Sequence, residues 1–203
     1  MEDPTKSDPL LQAADALARE RLSEKRYSHT IRVADTAERL ARMHGLDPSR
    51  VRLAALLHDA AREMEPEEFL RLAEEWDLAV GEPERESPKL LHAPVAAGLA
   101  RRELGVEDEE VLAAVRAHTV GEPGMGPLAL ALYVADKIEP ARDYPSVEKL
   151  RRMAREDLRE AATEALRRVV AHNEQRERPV HPSSRAMLEW LEETESAAQR
   201  RVE

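Results

Sequence analysis

Apolar side chains recur every three or four positions through most of this sequence, which is the spacing of the buried face of an α-helix. Capping residues and prolines mark where these helices begin, and glycines mark where several of them end. No stretch alternates apolar and polar residues as a half-buried β-strand does. The predicted helices begin near Asp8, Tyr27, Asp47, Glu65, Pro94, Asp108, Leu128, Ser146 and Ser183.

Short polar segments separate the predicted helices. Residues Ser23–Arg26 are predicted to form a turn, and residues 81–89 a loop, because the latter hold two prolines and many charges. The segment from Ser146 to about His172 is predicted to be one long charged helix with a solvated outer face. The stretch RPVHPSS, residues 178–184, is predicted to be extended or turn-like, and either of its serines can cap the last helix.

The stretch Leu53–Arg62, LAALLHDAAR, is apolar nearly all round, and a helix of that kind is buried. Near its end it carries an imidazole and a carboxylate side by side, His58 and Asp59. A lone buried carboxylate is very costly. A divalent metal ion is an economical partner, since neutral histidine and ionised aspartate are both good ligands. His-Asp is a common dipeptide, so the pair alone is weak evidence for a metal site, and the rest of the chain must decide whether one is present.

Six acidic or imidazole groups fall on predicted buried faces or at helix ends. They are His29, His58, Asp59, His92, His118 and Asp136. A single histidine on an apolar face is more often a hydrogen-bonded core residue than a ligand. For Asp136 the alternative is a capping role or a salt bridge with Lys137 or Arg142. Six such groups on different stretches of one small protein favour a shared functional site.

Composition and charge narrow the possible functions. The chain has 203 residues, which suits a single domain; we place it at 8–192 and expect a frayed helix end over 193–203. A formal net charge of −10 argues against general binding to nucleic acid or an acidic membrane, although a local basic pocket can still hold a phosphorylated molecule. With no cysteine, disulfides and thiolate metal sites are ruled out. No apolar run is long enough to span a membrane, and the N-terminus has no signal-peptide core, so that a cytoplasmic protein is expected.

Two histidines and two aspartates without a thiolate suit a borderline or hard divalent ion: Fe, Mn, Zn or Mg. Such a site leaves coordination positions for water and substrate, and the ion lowers the pKa of the bound water towards neutrality. The chemistry indicated is hydrolytic. His92 and His118 then have three open roles: ligands of a second metal, contacts to phosphate oxygens, or donors of a proton to a leaving group.

Five motifs follow one another between positions 26 and 142. They are RYSHTIRVADTAERLA (Arg26–Ala41), LLHDAAR (Leu56–Arg62), LLHAPVAA (Leu90–Ala97), VRAHTVG (Val115–Gly121) and YVADKIEPAR (Tyr133–Arg142). In this order they resemble the signature of the HD-domain metal phosphohydrolases and, more closely, that of the YqeK-type symmetrical bis(5'-nucleosyl)-tetraphosphatases. The resemblance extends over roughly Leu10 to Leu191, which is almost the whole chain.

The resemblance implies an all-α fold, the HD-domain helical bundle, and a hydrolase that cleaves diadenosine tetraphosphate to two ADP. Metal-bound water would attack a phosphorus next to the central bridging oxygen. The metal, commonly iron in this family, would be held by His29, His58, Asp59 and Asp136. Catalytic roles would fall to Asp59, His92, His118 and Arg62. The nucleotide would be bound by Ser28, His92, His118, Thr119, Asp136, Arg142, Pro179, Val180, His181, Pro182, Ser183 and Ser184.

Other functions stay open at this point. One is a phosphohydrolase of the same fold that acts on other (deoxy)nucleotides. Another is a nucleotide-sensing protein with little turnover, and a third is a helical interaction module whose buried histidines are structural. The expected partner is a small-molecule nucleotide, with no nucleic acid and no membrane, and a homodimer is left open. The sequence does not fix the metal, the number of ions or the regulation.

Overall fold

In a computed structural model the chain is described over residues 8–199, with side chains described through residue 194. These residues form eleven α-helices and one 3-10 turn, and none of them lies in a β-strand, which confirms the all-α prediction. The helices are α1 (Pro9–Arg21), α2 (Glu24–Met43), α3 (Pro48–Leu57), α4 (Pro66–Glu75), α5 (Glu82–Glu86), α6 (His92–Leu104), α7 (Glu109–Ala117), α8 (Pro127–Ile138), α9 (Val147–Glu156), α10 (Leu158–Gln175) and α11 (Pro182–Gln199), with the 3-10 turn at Pro88–Leu91. The frayed end predicted for 193–203 lies partly outside the described residues, and α11 continues through Gln199.

Capping groups explain why several predicted helix starts are confirmed. The carboxylates of Asp8, Asp47 and Asp108 accept hydrogen bonds from backbone N–H groups in the first turns of α1, α3 and α7. Proline occupies the first turn of α1 and α3, where its missing N–H is not needed. Gly105 ends α6 with a left-handed backbone (φ +66°), as glycine commonly does.

Two segments predicted to be irregular are helical. Residues Ser23–Arg26 are the N-cap and first turn of α2, because the Ser23 hydroxyl accepts a hydrogen bond from the Arg26 N–H. Residues 81–89 contain α5 and the start of the 3-10 turn. The Glu84 carboxylate accepts from the Gly81 N–H at 2.9 Å and closes a helix of only five residues. A helix this short has no room for the apolar periodicity that identifies longer ones.

The long charged helix predicted from Ser146 to about His172 is in fact two helices. The break lies at Asp157, whose extended backbone (φ −147°, ψ 118°) ends α9. The Asp157 carboxylate accepts from the N–H groups of Arg159 and Glu160 at 2.7 and 3.0 Å and so starts α10. One residue ends one helix and caps the next, and the charged pattern continues across it without a visible interruption.

The last helix begins at Pro182, ahead of both serines that were predicted to cap it. The His181 Nδ1 accepts from the Ser183 N–H at 3.1 Å. The Ser184 hydroxyl instead donates to the Val120 carbonyl at 2.7 Å. It therefore ties α11 to the loop that follows α7.

The centre of the bundle is formed by α2, α3, α7 and α8. Helix α8 is buried on all sides from Leu128 to Asp136, and α3 is nearly so. α2 packs against α3 and α8, and α7 packs against the same two helices from another side, while α10 joins α8 to α9 and α11. Leu, Ala and Val side chains make up most of the core. No helix within residues 8–199 has both the length and the apolar character of a membrane span.

Candidate active site

All six polar groups singled out from the sequence are buried, with exposed fractions of 1 to 7%. They come from five places in the fold: α2, the turn after α3, the start of α6, the turn after α7, and α8. These groups are His29, His58, Asp59, His92, His118 and Asp136. The bundle therefore brings together side chains that lie far apart in the sequence.

Three of the histidines stand at helix ends. His58 and His118 each follow the last residue of a helix, and His92 is the first residue of α6. The prediction that His58 and Asp59 lie within a helix is wrong, because α3 ends at Leu57 and both residues lie in the turn after it. Each ring Nδ1 donates to the backbone carbonyl three residues earlier. The acceptors are Ala55 for His58 at 2.6 Å, Lys89 for His92 at 2.7 Å and Val115 for His118 at 2.8 Å.

Because Nδ1 carries the donated hydrogen, the Nε2 lone pair of each ring faces the interior of the site. Asp59 lies among these atoms. Its Oδ1 is 3.3 Å from His92 Nε2 and 3.7 Å from His118 Nε2, and its Oδ2 is 3.5 Å from His58 Nε2. The buried Nε2 atoms of His29 and His58 have no hydrogen-bond partner among the residues that the structure describes. Two unpartnered lone pairs beside buried carboxylates fit a bound metal ion.

His29 is oriented by a carboxylate rather than by a carbonyl group. Its Nδ1 is 3.2 Å from Glu139 Oε1, and its Nε2 is 3.2 Å from Asp136 Oδ1. Glu139 is 2% exposed, and its Oε2 accepts from Arg32 Nε and from the Ala141 N–H, both at 2.7 Å. A carboxylate behind a ligating histidine is common in metal sites. Glu139 was not predicted from the sequence, although it lies three residues after Asp136.

Cations pair with both aspartates. Asp136 contacts Lys137 Nζ and Arg142 Nη2, each at 2.7 Å. The salt bridge considered as an alternative for Asp136 is therefore present. Asp136 nevertheless also lies among the histidines of the cluster. Arg26 Nη1 lies 3.0 Å from Asp59 Oδ2. Arg26 was not singled out from the sequence, where nothing distinguished it from other arginines on charged helix faces.

The surroundings keep these groups in the protonation states that metal binding requires. Burial acts to raise the pKa of the Asp59 carboxyl, but contacts with His58 and His118 hold that pKa well below its usual range. Burial opposes ionisation of Asp136 in the same way, and its neighbouring lysine and histidine hold its pKa well below the usual range. Burial lowers the pKa of His58 to about 4, and it also lowers the pKa of His92 and His118. At neutral pH the carboxylates are charged and these three rings are neutral.

Two overlapping sets of three residues have the spacing of a metal site. One is His29, His58 and Asp136, and the other is His58, Asp59 and His118; within each set the ligand atoms lie within 4.8 Å of one another. His58 belongs to both. The two sets together include every ligand predicted from the sequence and add His118, whose role the sequence left open.

Half of the twelve residues predicted to bind nucleotide line one cavity of about 580 Å³, which we call the α11 cavity. Its walls include Thr119, Val169 and Asn173, together with five of the six residues of segment 179–184; Ser183 is the exception. The Thr119 hydroxyl oxygen lies 3.0 Å from His92 Nε2 and 3.1 Å from His118 Nε2. The α11 cavity therefore reaches the ligand cluster through Thr119.

The remaining predicted residues lie at the edge of the site. Arg62 is half-buried, and its Nη1 is 3.1 Å from His92 Nδ1, which places a positive charge beside that ring. Arg142 stands against Asp136. Ser28 is exposed and adjacent to His29 on α2.

The chain is similar to known proteins over most of its length. Residues 26–141 match the HD domain. The chain is 37% identical over 180 residues to the symmetrical bis(5'-nucleosyl)-tetraphosphatase of Bacillus subtilis, covering 89% of this chain and 96% of that one. It is 39% identical over 175 residues to the protein of the same name from Halalkalibacterium halodurans, covering 86% and 93%. A crystal structure from Clostridium acetobutylicum, described as a predicted HD superfamily hydrolase involved in NAD metabolism, has a TM-score of 0.87 and 31% identity, covering 90% of this chain and 97% of that one.

Proposed function

The chain belongs to the HD-domain family, and we propose that it is a metal-dependent hydrolase that cleaves diadenosine tetraphosphate symmetrically into two ADP. The observation that carries the proposal is the pair of buried, unpartnered Nε2 atoms of His29 and His58 beside the carboxylates of Asp59 and Asp136. A helical interaction module has no use for this arrangement, since unpaired buried polar atoms cost stability. Two relatives that match nearly over their full length carry this activity in their names.

We assign the metal to His29, His58, Asp59 and Asp136, with iron as the first candidate because of the family resemblance. The donor set contains only imidazole nitrogens and carboxylate oxygens, which suit a borderline or hard divalent ion. When bound, such an ion polarises a phosphate oxygen and lowers the pKa of a coordinated water. Glu139 orients His29 from behind, and Arg26 holds Asp59 in place.

His92 and His118 are placed to handle protons. Since Nδ1 of each ring donates to a backbone carbonyl, Nε2 is the acceptor nitrogen when the ring is neutral. Each Nε2 is thus ready to take a proton from the attacking water and to pass it afterwards to an oxygen of the departing phosphate. The donor role expected from the sequence becomes the second half of that cycle. The Thr119 hydroxyl lies within 3.1 Å of both atoms and can donate its one hydrogen to either of them.

Three cations lie beside the ligands and are placed to bind the phosphates of the substrate. Lys137 and Arg142 stand against Asp136, and Arg62 stands against His92. Guanidinium groups bind phosphate oxygens through two parallel hydrogen bonds. Positive charge held on both sides of the ligand cluster stabilises the negative charge that develops on the leaving ADP.

The α11 cavity offers a place for one nucleoside. Its volume of about 580 Å³ lies within the range of small-molecule sites. Pro179 and Val180 supply apolar surface, while Asn173 and Ser184 supply hydrogen-bonding groups. The cavity meets the cluster at Thr119, so that a base held here would have its phosphates directed towards the metal ligands.

Metal analysis and product analysis test the proposal together. After anaerobic purification we expect about one metal ion per chain and ADP as the sole product from diadenosine tetraphosphate. His58→Ala should lose the metal and the turnover. His44→Ala should keep both, because the His44 ring contacts the Ala154 carbonyl away from the cluster. ATP plus AMP as products would refute symmetrical cleavage, and full turnover by His58→Ala would refute the metal site.

A further inference from the structure

A second cavity, of about 460 Å³, adjoins the ligand cluster on the side of Asp136. Lys137 and Arg142 line its inner end, and each of them contacts an Asp136 oxygen at 2.7 Å. Tyr144 and Arg168 also line it without pairing with Asp136, and we call the part that they line its outer part. We call it the basic cavity. Nothing in the proposed chemistry has so far used its outer part.

The basic cavity and the α11 cavity share a wall. Val169 and Asn173, one turn apart on α10, line both of them. The α11 cavity reaches the cluster through Thr119, at the end formed by the two proton-handling histidines. The basic cavity reaches it at Asp136, through the two cations paired with that residue. Lining residues of both cavities therefore contact the ligand cluster, and the two cavities are of similar size.

The lining of the basic cavity suits an anionic ligand. Arg168 is held in place because its Nε donates to Glu164 at 2.9 Å and its Nη1 donates to the Pro145 carbonyl at 3.1 Å. His172 adds a further basic group at the rim. No carboxylate is among the described residues that line the cavity. In a chain with a net charge of −10, a pocket of this kind concentrates anions locally.

The outer part of the basic cavity also suits a base. Tyr144 is half-buried, with its hydroxyl donating to the Lys137 carbonyl at 2.7 Å, so that its ring is fixed. Leu150 and Val169 add apolar surface. Aromatic rings and aliphatic side chains are the usual partners of a planar base. The basic cavity therefore offers cations for the phosphates of a nucleoside diphosphate, and a ring with aliphatic side chains for its base.

We propose that the basic cavity is a second nucleotide subsite, which binds one ADP half of diadenosine tetraphosphate while the α11 cavity binds the other. This inference rests on the proposed function. Symmetrical cleavage needs two phosphates and one adenosine on each side of the attacked bond. Lys137 and Arg142 contact the phosphates of the second half, and Tyr144 contacts its base. Filling both cavities centres the tetraphosphate on the metal ligands, and this centring makes the cleavage symmetrical.

Binding of the product ADP to the metal-loaded enzyme tests the second subsite. Titration calorimetry should show two ADP sites per chain. Arg168→Ala should weaken one site about tenfold and leave the other unchanged, because a charged hydrogen-bond donor is lost from the lining. The KM for diadenosine tetraphosphate should rise by a similar factor. The matched control is Arg167→Ala, which removes an exposed arginine that pairs with Glu192 outside the cavity, and it should leave both sites unchanged.

His172→Ala provides a second test at an exposed position of the rim, where the fold is least affected, and it should weaken the same ADP site by a few fold. Products are analysed on the same preparations. One ADP site in an enzyme that forms ADP alone would overturn the inference and leave the proposed function standing. Two ADP sites that neither His172→Ala nor Arg168→Ala affects would also overturn it. Products other than ADP alone would refute the proposed function, and this inference with it.

Discussion

Glu139→Gln tests whether the buried carboxylate behind His29 controls metal affinity. Glu139 accepts from His29 Nδ1 at 3.2 Å, and from Arg32 Nε and the Ala141 N–H at 2.7 Å each. Glutamine has nearly the same size, but it carries no charge and has only one acceptor oxygen. It can keep its hydrogen bonds to Arg32 and Ala141 or its hydrogen bond to His29, but not both. The ring of His29 is then held less firmly and has no negative charge behind it.

The size of the effect follows from the burial of this pair. Glu139 is 2% exposed and His29 is 7% exposed, so that water cannot replace the lost acceptor. Loss of a carboxylate partner behind a metal-ligating histidine typically lowers metal affinity 10- to 100-fold. We therefore expect the metal dissociation constant to rise by that factor, which corresponds to about 1.4 to 2.8 kcal/mol.

Competition with a chelator, followed with Mn²⁺ or with Fe²⁺ under anaerobic conditions, measures the change. Glu148→Gln is the matched control, because Glu148 is exposed on α9 and pairs with Arg151. The melting temperatures of both metal-free variants show whether the fold is intact. A metal dissociation constant for Glu139→Gln within about threefold of that of the unsubstituted protein would show that Glu139 does not control metal affinity through His29.

Three further predictions concern a metal ligand, the packing around a glycine and the pH dependence of stability. Asp59→Asn should abolish metal binding and turnover, while the circular dichroism spectrum remains that of a helical protein. A variant that keeps its metal would contradict the assigned ligands. Gly98→Ala should lower the free energy of unfolding by about 2 to 3 kcal/mol, because the added Cβ would lie 2.5 Å from the Trp76 ring. Gly124→Ala, with open space but φ +83°, should cost only about 1 kcal/mol, and equal losses in urea unfolding would exclude the steric explanation. The metal-free protein should lose stability as the pH falls from about 6.5 towards 4, since burial lowers the pKa of His58 to about 4 and the unfolded chain takes up the proton first. Urea midpoints at a series of pH values measure this loss, which is on the order of 3 kcal/mol for His58 alone. A midpoint that rises on acidification would contradict the predicted loss of stability.

The ligand cluster was predictable because polar residues on apolar helix faces are conspicuous. Asp136 lies in line with the buried residues of α8, and His29 lies on the inner stripe of α2. The chemistry of their side chains and the cost of burying them were enough to expect a common partner. The fold class followed from the same helical periodicity.

Other features gave no signal in the sequence. Glu139 and Arg26 look like ordinary charged residues. Only the packing of α2 against α8 shows that Glu139 holds His29, and only the packing of α2 against α3 shows that Arg26 holds Asp59. Asp157 separates α9 from α10, but aspartate is common on charged helix faces and so does not mark a break in the sequence. The shared wall of the two cavities depends on how α10 packs, which residue spacing does not encode.

The separation of His29 and Glu139 by 110 positions has a consequence for the order of events during synthesis. Helices α2 and α3 leave the ribosome well before α8, so that a nascent chain holds some of its ligating groups without the rest. Closing a loop of this length costs entropy that only the packed core repays. The complete set of ligating groups therefore exists only after α8 has joined the bundle. An ion that binds this set would stabilise the folded chain relative to the unfolded one.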